Sequence, residues 1–388
     1  MMTIRLYWDE PYKREFNARI DEIVRDGIIL SRTVFHPEGG NQAGDKGILE
    51  KDNQIFKVDN TSSLNGNIIH HISSDLQGRL KIGDKIKGKI DWDHRYGLMK
   101  SHSSQHLLSA ILKREFDINT NKVKIRDDFV VLNLSQKITD SQLLKVLLTA
   151  NEFFIQKKLR IFQKLVPFEE AQNYKPQLRG TIPNKKKVRL VFTEDYDITC
   201  CGGTHVKYSN EIGPILVFEF KKGKKLKYYT GKKAIEYIAK YNIDFLNISE
   251  KFQIPLSEVN ERINCQIENS EKLVENNISL KKELLELVVS NPSLIKNNIK
   301  ISYVSFPIEF DILNEFFDSL ADKILLILKL ENQVLKIVTN YENVSAAEIL
   351  DKLLNKFGGK GGGSSFIAQG KIEKFPDDIL NIIGQMLH

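Results

Sequence analysis

The sequence predicts an α+β chain of several domains: a small N-terminal β-barrel, a central α+β domain, a helical arm, and a C-terminal α/β domain rich in glycine. Three observations predict it. Short strand-like runs recur at even spacing up to about residue 90. A helical period then carries two histidines one turn apart, answered about a hundred residues later by a cysteine and a histidine in a glycine loop. Beyond about residue 240 a polar helical stretch leads to strands and helices around a Gly-Gly-Lys-Gly-Gly-Gly run. The expected boundaries are 1–90, 91–240, 241–292 and 293–388.

From the N-terminus, residues 1–8 alternate like a strand and offer no apolar signal-peptide core. The runs at 27–30, 47–49, 54–58 and 85–90, broken by Gly, Asn and Asp, are spaced as in a small barrel. Residues 91–114 switch to helical period, and a second helix is expected over 141–158. The run 188–192 is a strand entering the cysteine loop, and 215–220 with 226–229 form a hairpin around Lys-Gly-Lys. Residues 241–292 look helical, a run that starts at Pro255 and Ser257 and ends at Asn291-Pro292 with spacing too uneven for a strict heptad, as in a helical arm or hairpin. In the last segment, 324–330 and 334–339 are strands. Ser345 with Glu348 caps a helix that Gly358 closes, and a further helix starts near Pro376.

At 388 residues, with 41% hydrophobic and 28% charged positions, the chain can bury large cores. No apolar stretch approaches the ~20 residues of a membrane helix. Three cysteines, two of them adjacent, make no disulfide framework and fit a reducing, cytoplasmic setting. The formal charge of +7 is compatible with a polyanion, and five lysines fall between Lys221 and Lys227, followed by Tyr228 and Tyr229. A solvated hairpin edge would look the same.

His102 and His106 stand at i and i+4, on one helix face. Cys201 and His205 repeat that spacing within Cys-Gly-Gly-Thr-His. A lone helical histidine is more often a core residue than a ligand. Two such pairs in a chain with eight histidines and three cysteines point to a metal, and three imidazoles with a thiolate suit one Zn2+ per chain. Cys200 reads as a small neighbour or an alternative ligand.

The two pairs with their flanks, Leu107-Leu108 on one side and Asp197 and Val206 on the other, resemble the editing domain of alanyl-tRNA synthetase and its free-standing AlaX relatives. Upstream, Thr33-Val34-Phe35-His36-Pro37-Glu38-Gly39-Gly40-Asn41-Gln42 through Asp45 and Gly47 is similar to the family's T-x-F-x-P-x-G-G-x-Q-x-x-D-x-G segment. The glycine run with Ala368-Gln369-Gly370 resembles the C-terminal domain of the synthetase. The matches keep family order from 33 to 370, as in the longer AlaX type.

That resemblance implies a zinc-dependent deacylase acting on tRNA(Ala) charged with the wrong amino acid, chiefly serine and also glycine. It implies Thr33 and Gln42 as catalytic residues, with Thr33 sensing the serine hydroxyl. It further implies tRNA contacts at Lys221, Lys222, Lys224, Lys225 and at Gly361, Gly362 and Gly363, whose bare backbone would pass close to a sugar-phosphate. No membrane partner is expected, and a homodimer through the C-terminal half is. With the barrel starting near residue 10, no room is expected for an ATP-using activation domain. The alternative is a non-catalytic tRNA-binding protein with a structural zinc. Four protein ligands would fill a tetrahedron, whereas hydrolysis needs an open position. Either one ligand is distant, or zinc mainly orients the substrate. The chain departs from the family at His36 (usually Tyr), Asn41 (commonly Gly) and 119–126.

Overall fold

The computed structural model describes residues 2–73, 79–155, 157–304, 306–318, 323–329 and 333–387. The chain forms two compact units, Met1–Asn247 and Ile248–His388. The expected ends of the 141–158 helix and of the 324–330 strand touch residues outside the described ones.

Unit 1 opens with β1 (Ile4–Arg5) and a single helical turn, α1 (Leu6–Asp9), rather than the continuous strand its alternation predicts. The turn buries Tyr7 and brings the Trp8 indole to the cysteine loop, contacts that an extended strand could not make together. The barrel follows: β2 (Glu15–Val24), β3 (Gly27–Leu30), β5 (Gly47–Lys51), β6 (Gln54–Leu64), β7 (Asn67–Ile72) and β8 (Lys85–Ile90) close in the order β2-β3-β7-β6-β5-β8. Strict alternation in β2 sends Phe16, Ala18 and Ile20 inward, and closure leaves no open edge. The short β4 (Arg32–Thr33) pairs with β1 in parallel. Between β4 and β5, residues 34–46 form a loop whose Gln42 reaches His102.

Asp91, whose side chain accepts from the His94 N–H, caps α2 (Trp92–Phe116), and Asp117 at φ 54° ends it. Then come β9 (Thr120–Ile125), β10 (Val130–Leu134), α3 (Asp140–Ile155), β11 (Ile161–Pro167), α4 (Phe168–Gln172), β12 (Leu178–Arg179), β13 (Lys187–Thr193), β14 (Asp197–Cys200), β15 (Ile215–Lys221), β16 (Lys225–Thr230) and α5 (Gly231–Phe252). They make two four-stranded sheets, β15-β16-β10-β9 and β11-β13-β14-β12. Helices α2 and α3 cover one face of the first sheet around Leu98, Leu108, Val130, Leu132, Val146 and Leu226. Lys222 and Gly223, at φ 52° and 66°, make the expected β15–β16 hairpin turn, a left-handed pair that matches strand twist. Helix α5 starts ten residues before the arm expected at 241, so that boundary falls inside a helix.

Unit 2 contains α6 (Val259–Ser290), β17 (Leu294–Lys296), β18 (Ile299–Val304), α7 (Phe310–Asp318), β19 (Ile324–Lys329), β20 (Val334–Thr339), α8 (Ala346–Phe357), β21 (Gly359–Gly363), β22 (Ile367–Ile372) and α9 (Ile379–Met386). Its sheet runs β17-β18-β19-β20-β22-β21. The β18–β19 pair is parallel, with α7 as the crossover. Along β19, Leu325 and Ile327 pack under α8 and α9, while Ile324, Leu326 and Leu328 pack under α6 and α7. Burial on both faces explains an apolar run that shows no alternation. Ser345 caps α8 through the Glu348 N–H at 3.3 Å, as its sequence predicts.

Candidate metal centre

Helix α2 buries an unusual run of polar residues, Ser101 to His106; His102, Ser103, Ser104 and Gln105 find side-chain hydrogen bonds inside the protein, while the Ser101 hydroxyl is buried without one. Its histidines meet the loop that leaves β14. The donor atoms of His102, His106, Cys201 and His205 all lie within 4.8 Å of one another. Cys201 Sγ is 3.3 Å from His102 Nε2 and 3.4 Å from His205 Nε2. For zinc bonds of 2.0–2.1 Å to nitrogen and 2.3 Å to sulfur, a tetrahedron has N···S edges of roughly 3.5 Å. The donor types and the two cysteine–histidine separations fit zinc, while His106 stands within 4.8 Å of the other donors.

The histidines are aimed from behind. His102 Nδ1 donates to Gln42 Oε1 at 2.7 Å, which leaves the Nε2 lone pair facing the cysteine. Gln42 also takes the Thr204 N–H at 3.2 Å and donates to the Thr204 hydroxyl at 3.0 Å. His205 Nδ1 lies 3.3 Å from the Ser103 hydroxyl, itself held by the Val206 N–H. Burial pushes the His102 imidazole down to about 3, with the Arg189 charge adding to it, and depresses His106 and His205 well below the usual histidine range. All three rings are therefore neutral, as ligands must be. Burial raises the Cys201 thiol, opposed by the Gly203 N–H and by the Arg189 and Arg179 charges, so metal uptake must displace its proton.

The loop is built around two side chains and one missing one. Arg189 of β13 donates from Nη1 to the Cys201 and Gly203 carbonyls at 2.8 and 2.9 Å. Its Nε and Nη2, and His36 Nδ1, are buried without a protein hydrogen bond. Trp8 Nε1 holds the Gly202 carbonyl at 3.0 Å. A Cβ at Gly203 would stand 2.3 Å from His102 Cε1, whereas one at Gly202 meets nothing within 4 Å.

Two regions match known protein families. Residues 9–94 match tRNA synthetases class II (A), and residues 188–227 match the threonyl and alanyl tRNA synthetase second additional domain. The alanyl-tRNA editing protein AlaX-L of Pyrococcus horikoshii is 31% identical over 98% of this chain and 97% of its own length. The chain belongs to that AlaX-L family. Alanine–tRNA ligases of Pyrococcus abyssi and Thermococcus kodakarensis are 28% and 26% identical over 96% of the chain, which spans only 42% of either ligase.

In this AlaX-L chain the two ligand pairs expected from sequence come together in one cluster. Gln42 stands behind His102, where it orients a ligand. It gets there on a two-residue turn: Gly39 and Gln42 exchange both backbone hydrogen bonds around Gly40 and Asn41, at φ 59° and 70°. The left-handed conformation explains the family's glycine at 41 and why asparagine serves there. Asp45 of the same motif is fully buried against Arg95 of α2 and takes the His36 N–H at 2.5 Å, clamping the loop to the helix. Thr33 is fully buried. Its hydroxyl accepts from the Phe35 N–H and meets His70 Nε2 at 2.8 Å. Because His70 Nδ1 faces the Ile28 carbonyl, Nε2 is the acceptor and Thr33 the donor. Cys200 packs against a separate apolar group that includes Val188, Leu190 and Phe192, and Gln105 bonds Ser109 at 2.8 Å.

The expected tRNA contacts fare unevenly. Glu219 bridges Lys227, Lys225 and Lys221 at 2.9, 3.4 and 3.8 Å, while Lys222 and Lys224 have no ion pair among the described residues. Tyr228 is buried against Ser104, so it cannot stack on a base as its position beside the lysines implied. Gly361 and Gly363 pack against their own neighbours: a Cβ would reach Gly370 Cα at 2.5 Å and the Ile367 carbonyl at 2.2 Å. Packing already demands glycine there, and only Gly362 faces open space. Arg189 and Trp8 were missed. The one signal for Arg189 was a charge in an otherwise apolar strand.

Proposed function

We propose that the protein is a trans-editing deacylase that hydrolyses the ester between a wrong amino acid, chiefly serine and also glycine, and the terminal ribose of tRNA(Ala). The observation that carries this reading is the buried His102–His106–Cys201–His205 cluster in a chain of the AlaX-L family. Zinc held by these four residues would supply Lewis acidity toward the ester carbonyl or a more acidic water.

The chain's own residues do the rest. Gln42 and Ser103 fix which ring nitrogens face the centre. Burial keeps those rings unprotonated. Arg189 shapes the cysteine loop and presents Nε and Nη2 beside it to a polar guest. Hydrolysis adds the hydroxyl of water to the acyl carbon and returns a proton to the ribose oxygen, so no covalent nucleophile is required. We assign serine selectivity to Thr33. Its donor is committed to His70, so it would accept a hydrogen bond from the serine hydroxyl, which alanine lacks.

We further assign the barrel and metal-bearing segments to catalysis, the 241–292 arm to spacing, and 293–388 to the outer part of the tRNA, in a cytoplasmic homodimer joined through the C-terminal half. No helix among the described residues is long and apolar enough to cross a membrane. Cys201→Ala tests the reading. It should lose zinc by elemental analysis and lose hydrolysis of Ser-tRNA(Ala) together. Full hydrolysis by a zinc-free variant would refute it.

A further inference from the structure

The β15-β16-β10-β9 sheet has two unlike faces. Val130, Leu132, Leu226 and Tyr228 point inward to the core that contains α2. Register places the other residues on the opposite side. In one row Lys124, Val131, Lys227 and Glu219 lie side by side across all four strands. In the next, Lys122, Asn133, Lys225 and Lys221 do so. Five lysines therefore share one open face with a single carboxylate, Glu219. Lysine on the edge strand β9 is explicable as protection against strand pairing. That explanation does not reach Lys225 and Lys227, which sit on the inner strand β16.

One corner of the face is aromatic. The β15 ladder slips between Val217 and Glu219, and such a bulge re-aims the extra residue, Phe218. Its ring stacks on Tyr229 at 4.2 Å, and Tyr229 stacks in turn on Tyr237 of α5 at 4.7 Å. Lys233 Nζ lies 5.1 Å from the Tyr229 ring. Rows of ammonium groups ending in a rigid aromatic stack suit an RNA strand, whose phosphates and bases need those two features.

We propose that this open sheet face is an RNA-docking surface that grips the tRNA away from its reacting 3′ end. The inference rests on the editing reading above and adds the place where the substrate is held. Because α2 and its histidines lie on the other side of the sheet, the face acts on affinity and leaves the bound ester's chemistry alone.

The test is the salt dependence of binding between the full-length protein and uncharged tRNA(Ala). In the Lys122→Gln/Lys124→Gln variant, the slope of log Kd against log salt should fall by about 1.4–1.8, since each lost phosphate contact removes about 0.7–0.9. Its kcat on Ser-tRNA(Ala) should hold while KM rises. A control pair on the barrel, Lys57→Gln/Lys81→Gln, should change the slope far less. An unchanged slope overturns the proposal, as does an equal fall in the control pair, which would mark mere net charge. A shift in oligomeric state without loss of RNA binding assigns the face to a protein partner and overturns it too. Absent deacylation with an intact slope effect would instead refute the editing reading and leave the face standing.

Discussion

At residue scale the centre depends on what stands behind the ligands. Gly203→Ala would drive a methyl into the His102 ring, 2.3 Å away, so it should lower zinc occupancy and destabilise the fold by about 1–3 kcal/mol. Gly202→Ala should do neither, and elemental analysis with urea melts of the two separates them. Gln42→Ala should keep the fold but weaken zinc about 10–100-fold, read by chelator competition. Thr33→Val strips the hydrogen bond from His70 Nε2, at a cost of about 1–3 kcal/mol. If Thr33 senses serine, the variant also loses its preference for Ser-tRNA over Ala-tRNA. Stability loss with the preference intact would make Thr33 purely structural. The ligands were legible because i,i+4 pairs of rare residue types survive in a bare sequence. Arg189 and the Thr33–His70 pair were not, because partners 12 and 14 residues away in the first case and 37 in the second leave no local trace.

Elements were legible where a local spacing or cap marks them, even in α2, which is buried on every side from Ser101 to Leu112. Helix α2 declared itself through spacing, and α8 through its cap and closing glycine. Strand β7 escaped notice because its buried positions include His70, which does not read as apolar alternation; β2 was passed over although Phe16, Ala18 and Ile20 do alternate. The start of α5 was hidden by Lys232 and Lys233, which read as a basic patch. A second device links barrel loop to helix: His94 of α2 has Nδ1 2.8 Å from Asp127 and Nε2 3.0 Å from the Gly44 carbonyl. Burial opposes its charge, but the Asp127 and Gly44 hydrogen bonds outweigh it and raise the imidazole above its usual value. A raised folded value gives stability that is fully present below the unfolded value of about 6.5 and is lost as pH rises through the folded one. The part of the stability that His94 supplies, read as the difference in urea midpoint between wild type and His94→Gln, should therefore shrink across that window. The depressed His36, His70, His102, His106 and His205 act with the opposite sign in both proteins and cancel in the difference.

For the whole molecule, the account divides labour between two compact units, with chemistry in Met1–Asn247. A truncation should end after Phe252, because a cut at 240 would sever α5. It should keep zinc and hydrolyse a charged acceptor-stem minihelix much as the intact protein does, while binding full-length tRNA more weakly through lost effective concentration. Equal loss on both substrates would show that the C-terminal unit only stabilises the fold or a dimer. The central claim is that a buried zinc cluster removes the wrong amino acid from tRNA(Ala). Its most direct test is deacylation of Ser-, Gly- and Ala-tRNA(Ala) by the zinc-loaded wild-type protein. The account predicts rapid release of serine, release of glycine, and alanine left in place. Zinc-loaded protein that releases none of them, or all three at one rate, would contradict it.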